Sequence, residues 1–245
     1  MIANKLEATG NSIEEVLENA NMYWVAEQHE LITGTGVSIP AHKALVRSDN
    51  SSVLGVVGKG YQPMQNNEAF ALMDELVKMN NAKYEYLYEL DGGSKIIAQA
   101  KIDNDFEVRN GDSVQSYITM INSFDGSSPV KLYYTPIRLW CSNQLRGSVK
   151  NATESISIRH TKNIAARTEE AMRVLGMAEN YFESFKEHSR MLAQKVIDKK
   201  MIDKFLEGVI GKADSTRKEN QYEDINKLIA GGMGNDGSSF WDAYN

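Results

Sequence analysis

The sequence predicts an α+β fold in which antiparallel β-hairpins form a sheet that packs on helices. Three observations predict this class. Short apolar runs alternate with turn sequences between residues 42 and 139, and a helical period interrupts them at residues 66–80. From residue 162 onward the helical period is almost continuous. We therefore expect an α+β core domain at residues 1–161, and a helical C-terminal region at residues 162–245 that packs on the core or extends from it.

The predicted strands are apolar or alternating segments separated by turn residues. Asp91-Gly92-Gly93 is typical of a hairpin turn, and Asp125-Gly126-Ser127-Ser128 joins the next two strands. A glycine inside a strand, such as Gly55, indicates a bulge or the close approach of another backbone. The polar segment 103–112, which contains Asp103-Asn104-Asp105, is predicted to be a turn. The predicted strands are residues 23–32, 42–47, 53–61, 84–90, 95–102, 114–124 and 130–139.

Two helices are predicted within the core domain. Ser12 is followed three residues later by Glu15, which is the capping-box pattern for a helix over residues 12–20. The second helix covers residues 66–80, with Asn66 as its cap.

The C-terminal region is predicted to be helical throughout. A heptad-like apolar seam predicts one long helix over residues 162–196, about 50 Å long at ~1.5 Å per residue. This seam either packs on the sheet of its own subunit or mediates assembly. Shorter helices are predicted near residues 199–210 and 219–230.

The composition favours a soluble protein of the cytoplasm. No apolar run approaches the roughly 18 residues that a membrane span needs, and the acidic N-terminus lacks the apolar core of a signal peptide. The single cysteine, Cys141, cannot form an internal disulfide, which fits a reducing compartment. We therefore expect a location in the cytoplasm of a host cell and no contact with a membrane.

Charge is distributed unevenly along the chain. The net charge is −6, and residues 1–30 contain six glutamates and one lysine. Residues 131–173 contain eight basic and three acidic residues, a net charge of +5 in an acidic protein. Such asymmetry is a physical indication of the kind of partner, and not of the fold.

The basic stretch also contains aromatic residues, which is the combination that single-strand-binding proteins use. The alternative is a solvated basic loop whose aromatic residues belong to the core. Thr161 is a candidate helix cap, so the residues just before it would lie where free backbone N–H groups attract phosphate. The candidate nucleic-acid-binding residues are Lys131, Tyr133, Tyr134, Arg138, Trp140, Arg146, Lys150, Arg159, His160, Lys162 and Arg167, with Lys59 and Tyr61 from a glycine-rich loop.

Sequence patterns of catalysis are absent. The four histidines are scattered without metal-ligand spacing, and Cys141 has no histidine nearby in sequence. Gly58-Lys59-Gly60-Tyr61 lacks the pattern of a phosphate-binding P-loop. We therefore expect a protein that is not an enzyme and that needs no cofactor or metal.

Five motifs resemble those of the phage/plasmid-like protein family, a family of unknown function. They are RSDNSSVLGVVGKGYQPMQNNEAF (47–70), GGSKIIAQAKI (92–102), TPIRLWCSNQL (135–145), SIRHT (157–161) and FWDAYN (240–245). In layout that family is similar to the phage single-strand annealing proteins of the Red-beta, Erf and Sak group. A Trp-His-Gly-type segment that many members have upstream has no counterpart in this chain.

The resemblance implies a protein that binds single-stranded DNA and anneals strands in phage or plasmid recombination. It also implies a homo-oligomer in the form of a ring or filament, with a phage exonuclease or a host single-strand-binding protein as a possible partner. The alternative is a non-enzymatic interaction protein that binds a host or phage protein, for instance in counter-defence.

Overall fold

The structure, a computed structural model, describes residues 4–7, 13–109, 111–136, 155–160, 178–232 and 235–244. It contains two β-sheets and flanking helices, which confirms the predicted α+β class. Contacts divide the chain into a sheet unit, Met1–Asn104 with Gln115–Glu179, and a helical unit, Asp105–Val114 with Asn180–Asn245. The boundary expected at residue 161 stays a prediction.

The smaller sheet has three antiparallel strands, β2 (Ala26–Ile32), β3 (Ser38–Arg47) and β4 (Val53–Gly58), in that spatial order. A side chain at Gly55 would place its Cβ 2.6 Å from the Cα of Asp125, which is closer than any real contact. Glycine is therefore required in β4 because another backbone crosses it there, as the sequence predicted.

The larger sheet has six strands in the order β1-β5-β6-β7-β8-β9. Its central strands come from the predicted hairpins, and β9, which was not predicted, forms one edge beside β8. The strands are β1 (Asn4–Glu7), β5 (Lys83–Leu90), β6 (Lys95–Arg109), β7 (Asp112–Ser123), β8 (Val130–Thr135) and β9 (Ser155–Ile158).

Two helices of the sheet unit form where they were predicted, α1 (Ile13–Asn19) and α2 (Asn66–Met79). The inward residues of α2, Phe70, Met73 and Leu76, are completely buried. Their spacing of three residues keeps them on one face of the helix. Burial of this face attaches α2 to the core of the sheet unit.

The start of α2 differs from the prediction that Asn66 is its cap. The N-cap is Gln65, whose backbone N–H donates to the Glu68 carboxylate at 2.8 Å. Asn66 lies inside the helix and is buried, and its side-chain amide donates to the Met22 carbonyl at 3.2 Å. The side chain of Asn66, which was predicted to cap α2, therefore forms a hydrogen bond to a distant part of the chain instead.

The predicted turn at Asp103-Asn104-Asp105 is also wrong, because β6 continues through it to Arg109. Phe106 and Val108 are buried, whereas Asp105 and Glu107 are exposed. This alternation is the period of a strand with one buried face. It outweighs the low strand propensity of aspartate and asparagine.

The helical unit contains four described helices. The helices predicted near residues 199–210 and 219–230 are confirmed. Of the long helix predicted over 162–196, the structure describes one helix at its C-terminal end, and residues 161–177 lie outside the described residues. The helices are α3 (Ala178–Gln194), α4 (Lys199–Ile210), α5 (Thr216–Gly231) and α6 (Phe240–Tyr244).

A buried polar cluster, called here the Asp242 clamp, links α6 to the β6–β7 hairpin within the helical unit. The Asp242 carboxylate accepts hydrogen bonds from the backbone N–H of Ser239 at 2.9 Å, from its hydroxyl at 2.8 Å and from the guanidinium of Arg109. Trp241 Nε1 donates to Asp112 at 2.6 Å. Burial alone would raise the pKa of Asp242, but the bonds from Arg109 and Ser239 lower it to about 2.

Candidate nucleic-acid interface

The edge of the six-stranded sheet brings together residues from two of the predicted segments. In the antiparallel pair β8–β9, Lys131 lies opposite Ser157 and Tyr133 lies opposite Ser155. Opposed residues of such a pair project from the same face of the sheet. Arg159 follows immediately after β9 and is exposed. The name β8–β9 strip is used below for Lys131, Ser155, Ser157 and Arg159.

The chemistry of the β8–β9 strip suits phosphate. Ser155 and Ser157 are exposed, and Lys131 is half-buried. Lysine, arginine and serine are among the residues that contact nucleic-acid phosphates most often. The two serines were not predicted as site residues, because no strand was assigned to them. The alternation of serine and isoleucine over Ser155–Ile158 is the signal that could have identified one.

The prediction that Tyr133 and Tyr134 stack on bases is wrong, because both side chains belong to the core. Tyr133 is 0% exposed and packs in a cluster with Tyr117 and Ile121, and Tyr134 is 2% exposed. The Tyr134 hydroxyl accepts a hydrogen bond from the Asn80 side chain at 3.1 Å. Consecutive strand residues point to opposite faces, and both faces of β8 are buried at Tyr133 and Tyr134.

The glycine-rich loop after β4 lies against the end of β9. The ring of Tyr61 stacks on that of His160 with centroids 4.6 Å apart. The backbone N–H of Gln62 donates to the His160 carbonyl at 3.1 Å, and that of Met64 donates to His160 Nδ1 at 3.3 Å. The hydroxyl of Tyr61 donates to the Ser123 carbonyl at 2.7 Å. The name His160 latch is used for Tyr61, Gln62, Met64 and His160.

The electrostatics of the His160 latch favour neutral groups. Burial lowers the pKa of His160, and burial, with a smaller effect of Asp125, raises the pKa of Tyr61. His160 Nδ1 accepts a hydrogen bond, so the proton of the neutral ring lies on Nε2. His160 is buried and Tyr61 is half-buried. The phosphate contact expected of His160 is therefore corrected to a structural role. Lys59, at the start of the same loop, is exposed.

The remaining predicted site residues lie outside the described residues, namely Arg138, Trp140, Arg146, Lys150, Lys162 and Arg167. Cys141 lies outside them as well. Within the described ranges no group of three or more histidine, cysteine, aspartate or glutamate side chains could hold a metal ion. No described helix is both long and apolar enough to cross a membrane.

Comparison with known proteins identifies a family. No curated protein and no solved structure matches the chain. Residues 53–245 match DUF932, which is described as a domain of unknown function. This match includes β4, the β8–β9 strip and the whole helical unit, and it confirms the expectation of a family whose function is unknown. Because it covers most of the chain, the protein belongs to the DUF932 family.

Proposed function

We propose that this protein binds single-stranded DNA through phosphate contacts made by the β8–β9 strip. The observation that supports the proposal most strongly is the pairing of Lys131 with Ser157 at a sheet edge, with Ser155 and Arg159 beside them. Ser155, Ser157 and Arg159 are exposed, and Lys131 is half-buried. Lys59 adds an exposed cation elsewhere in the same unit.

This composition favours binding without sequence preference. Contacts to phosphate position a protein on a strand but do not read its bases. The rings of Tyr133 and Tyr134, which were expected to stack on bases, are buried. The β8–β9 strip therefore offers charged and hydroxyl groups to a strand, and these two rings do not contribute. We therefore expect the affinity to come mainly from electrostatics and to fall steeply with salt.

Strand annealing and assembly belong to the same proposal but have a different basis. They rest on the sequence motifs that resemble the phage/plasmid-like family, whose layout is similar to that of the Red-beta, Erf and Sak group. That resemblance implies a homo-oligomeric ring or filament acting in phage or plasmid recombination. A phage exonuclease or a host single-strand-binding protein would then be the natural partner. A protein of this kind needs no catalytic site, cofactor or metal.

The test compares two double variants with the same change in charge. Lys131→Ala with Arg159→Ala removes both cations of the β8–β9 strip, and Lys83→Ala with Arg217→Ala removes two exposed cations elsewhere. Binding of a labelled single-stranded oligonucleotide is measured over a range of salt. We expect the first variant to bind about tenfold more weakly at low salt, with a salt slope smaller by about 0.7 for each lost phosphate contact.

Equal binding by the two double variants would place the interface elsewhere. If the unmodified protein does not bind the oligonucleotide at low salt, the proposal fails. The alternative, a non-enzymatic protein that grips a host or phage protein, would then be preferred. A variant that binds normally but does not pair complementary oligonucleotides would separate DNA binding from annealing.

A further inference from the structure

The loop that follows β4 holds the ring of Tyr61 at one end of the β8–β9 strip. One face of the ring is covered by the ring of His160, with centroids 4.6 Å apart and an angle of 26° between the planes. The Tyr61 hydroxyl donates to the Ser123 carbonyl at 2.7 Å. His160 directly follows Arg159, the last residue of the strip. Tyr61 is half-buried, so part of a firmly held ring is accessible beside the strip.

Lys59 lies at the tip of the tight turn that leads to Tyr61. The backbone N–H of Tyr61 donates to the Gly58 carbonyl at 2.9 Å, which closes the turn, and that of Lys59 donates to the Ala41 carbonyl at 3.0 Å. Lys59 is exposed, as is Arg159. One cation therefore precedes Tyr61 by two residues, and another precedes the histidine that backs its ring. Cations beside an aromatic ring are the combination that binds single strands.

Gly58 and Gly60 give an independent indication that a ligand approaches this turn. Neither has a positive φ, so the backbone conformation does not require glycine. A Cβ at either position would meet nothing within 4 Å, so packing does not require glycine either. Glycine moreover weakens a strand, and Gly58 is part of β4. The missing side chains leave the backbone beside Tyr61 open to close contact with a ligand.

One carboxylate near the Tyr61 ring would repel a phosphate. Burial is the main cause that raises the pKa of Tyr61, and the charge of Asp125 adds to it. Asp125 is, however, paired with Lys95 at 3.3 Å, and it accepts hydrogen bonds from the Ser123 hydroxyl at 2.6 Å and the Ser127 N–H at 2.9 Å. The ion pair with Lys95 offsets the negative charge at this side of the ring.

We propose that the Tyr61 ring stacks on a base of the bound strand, and that this contact makes the protein select single strands over duplex DNA. Lys59 and Arg159 then bind phosphates next to that base. This inference rests on the function proposed above. The β8–β9 strip contacts phosphates, which both forms of DNA carry, so it does not distinguish them. A base of a single strand is free to stack on a side chain, and such stacking accepts every base.

The test measures the affinity of the full-length protein for three labelled oligonucleotides of equal length by fluorescence anisotropy. The first is an ordinary single strand, the second is an abasic single strand with the same phosphates, and the third is a duplex. We expect the ordinary strand to bind at least about tenfold more tightly than the abasic strand, because only the ordinary strand offers a base to stack. We also expect it to bind more tightly than the duplex.

Two substitutions at Tyr61 separate stacking from a structural role. Tyr61→Leu removes the ring and should lower the affinity for the ordinary strand about tenfold, while the affinity for the abasic strand stays unchanged. Tyr61→Phe keeps the ring and loses only the bond to Ser123, so it should bind both strands as the unmodified protein does. Melting temperatures show that both variants are folded. A merely structural tyrosine would give equal changes for the two strands.

Gly60→Leu tests the open space beside the ring. Its side chain meets no protein atom near the Cβ, but it occupies the place of the strand, so we expect weaker binding of the ordinary strand at an unchanged melting temperature. Gly34→Leu is the matched control, because a Cβ at Gly34 also meets nothing within 4 Å. We expect this control to bind like the unmodified protein.

The inference is also tested without any substitution. A single strand that contains 5-iodouracil is cross-linked to the unmodified protein by ultraviolet light. The adduct should lie on Tyr61, which trypsin releases in the peptide of residues 60–78.

Three results would overturn the inference. They are equal affinity for the ordinary and abasic strands, a folded Tyr61→Leu variant with full affinity for the ordinary strand, and cross-links that lie only on other peptides. In each of these cases the protein still binds DNA, so the phosphate contacts of the β8–β9 strip would stand. Absence of binding to all three oligonucleotides would instead refute the proposed function, and this inference with it.

Discussion

The sheet unit and the helical unit obtain their order from different interactions. In the sheet unit the largest buried side chains are apolar or aromatic, with Phe70, Met73 and Tyr117 at 0% exposure. In the helical unit an apolar cluster of Phe106, Val108 and Trp241 lies beside the polar Asp242 clamp, which joins a carboxylate, a guanidinium and an indole N–H. Both units expose large apolar side chains, and those of the helical unit are Met191, Val196, Met201, Phe205, Val209, Leu228 and Tyr244.

This contrast concerns the kind of interaction that stabilises each unit. A core of close-packed side chains stabilises the sheet unit through burial, and such a core tolerates little change in volume. The helical unit combines its apolar cluster with directional hydrogen bonds that fix its last helix.

The largest effect should come from the core of the sheet unit. Met73 is 0% exposed and Met79, on the same helix, is 61% exposed. We expect Met73→Ala to lower the free energy of unfolding by about 2–5 kcal/mol through the cavity it leaves. Met79→Ala is the matched control and should change it by less than about 0.5 kcal/mol. Urea denaturation measures both, and similar losses would contradict the burial that distinguishes the two positions.

A smaller but clear effect is expected at the Asp242 clamp. Asp242→Ala leaves the Ser239 N–H and the Arg109 guanidinium without their acceptor, and we expect it to cost about 2–3 kcal/mol. Asp224→Ala, at a side chain that is 75% exposed, is the control. The fluorescence of Trp241 should report the change, since its ring packs in the same unit.

The clamp also has a pH signature. The pKa of Asp242 lies at about 2 in the folded protein, below its ordinary value of 3.8. Its contribution is therefore complete above pH 3.8 and is lost as the pH falls towards 2. The Asp242→Ala variant should lack this part of the acid transition, and an identical acid transition in both proteins would contradict the assignment.

The smallest effect should be the pH dependence of the sheet unit near neutrality. Burial lowers the pKa of His160, so the folded state favours the neutral ring. Stability is complete above the ordinary value of 6.5 and declines as the pH falls below it, because protonation removes the acceptor for the Met64 N–H. His160→Asn keeps an acceptor that does not titrate. As the pH is lowered from 7 to 5, the urea concentration at the midpoint of unfolding should fall for the unmodified protein and stay nearly constant for this variant.

Much of the fold could be predicted because it is encoded locally. The alternation of apolar residues gave β5, β7 and β8, and the spacing of Phe70, Met73 and Leu76 gave α2. The prediction failed at Asp103-Asn104-Asp105, where propensity was given more weight than the buried alternation of Phe106 and Val108. Local patterns thus identified helices and strands well where residue propensity and the apolar period agreed.

The candidate site was less predictable because its geometry depends on pairing between distant residues. Lys131 was identified from composition, but its neighbour Ser157 is set by the register of β8 with β9. The burial of Tyr133 depends on what covers each face of the sheet, which the composition of one segment does not contain. The His160 latch joins Tyr61 to a residue nearly a hundred positions away, and no local pattern indicates such a contact.

The crossing of β4 and the β7–β8 turn has a consequence for the order of folding. Gly55 and Asp125 lie far apart in sequence, yet their backbones come closer than any side chain would permit. The hairpins on either side need only short loops, whereas this crossing must close a long one. We expect the hairpins to form early and the crossing to form late, so that the His160 latch is among the last parts of the sheet unit to become ordered.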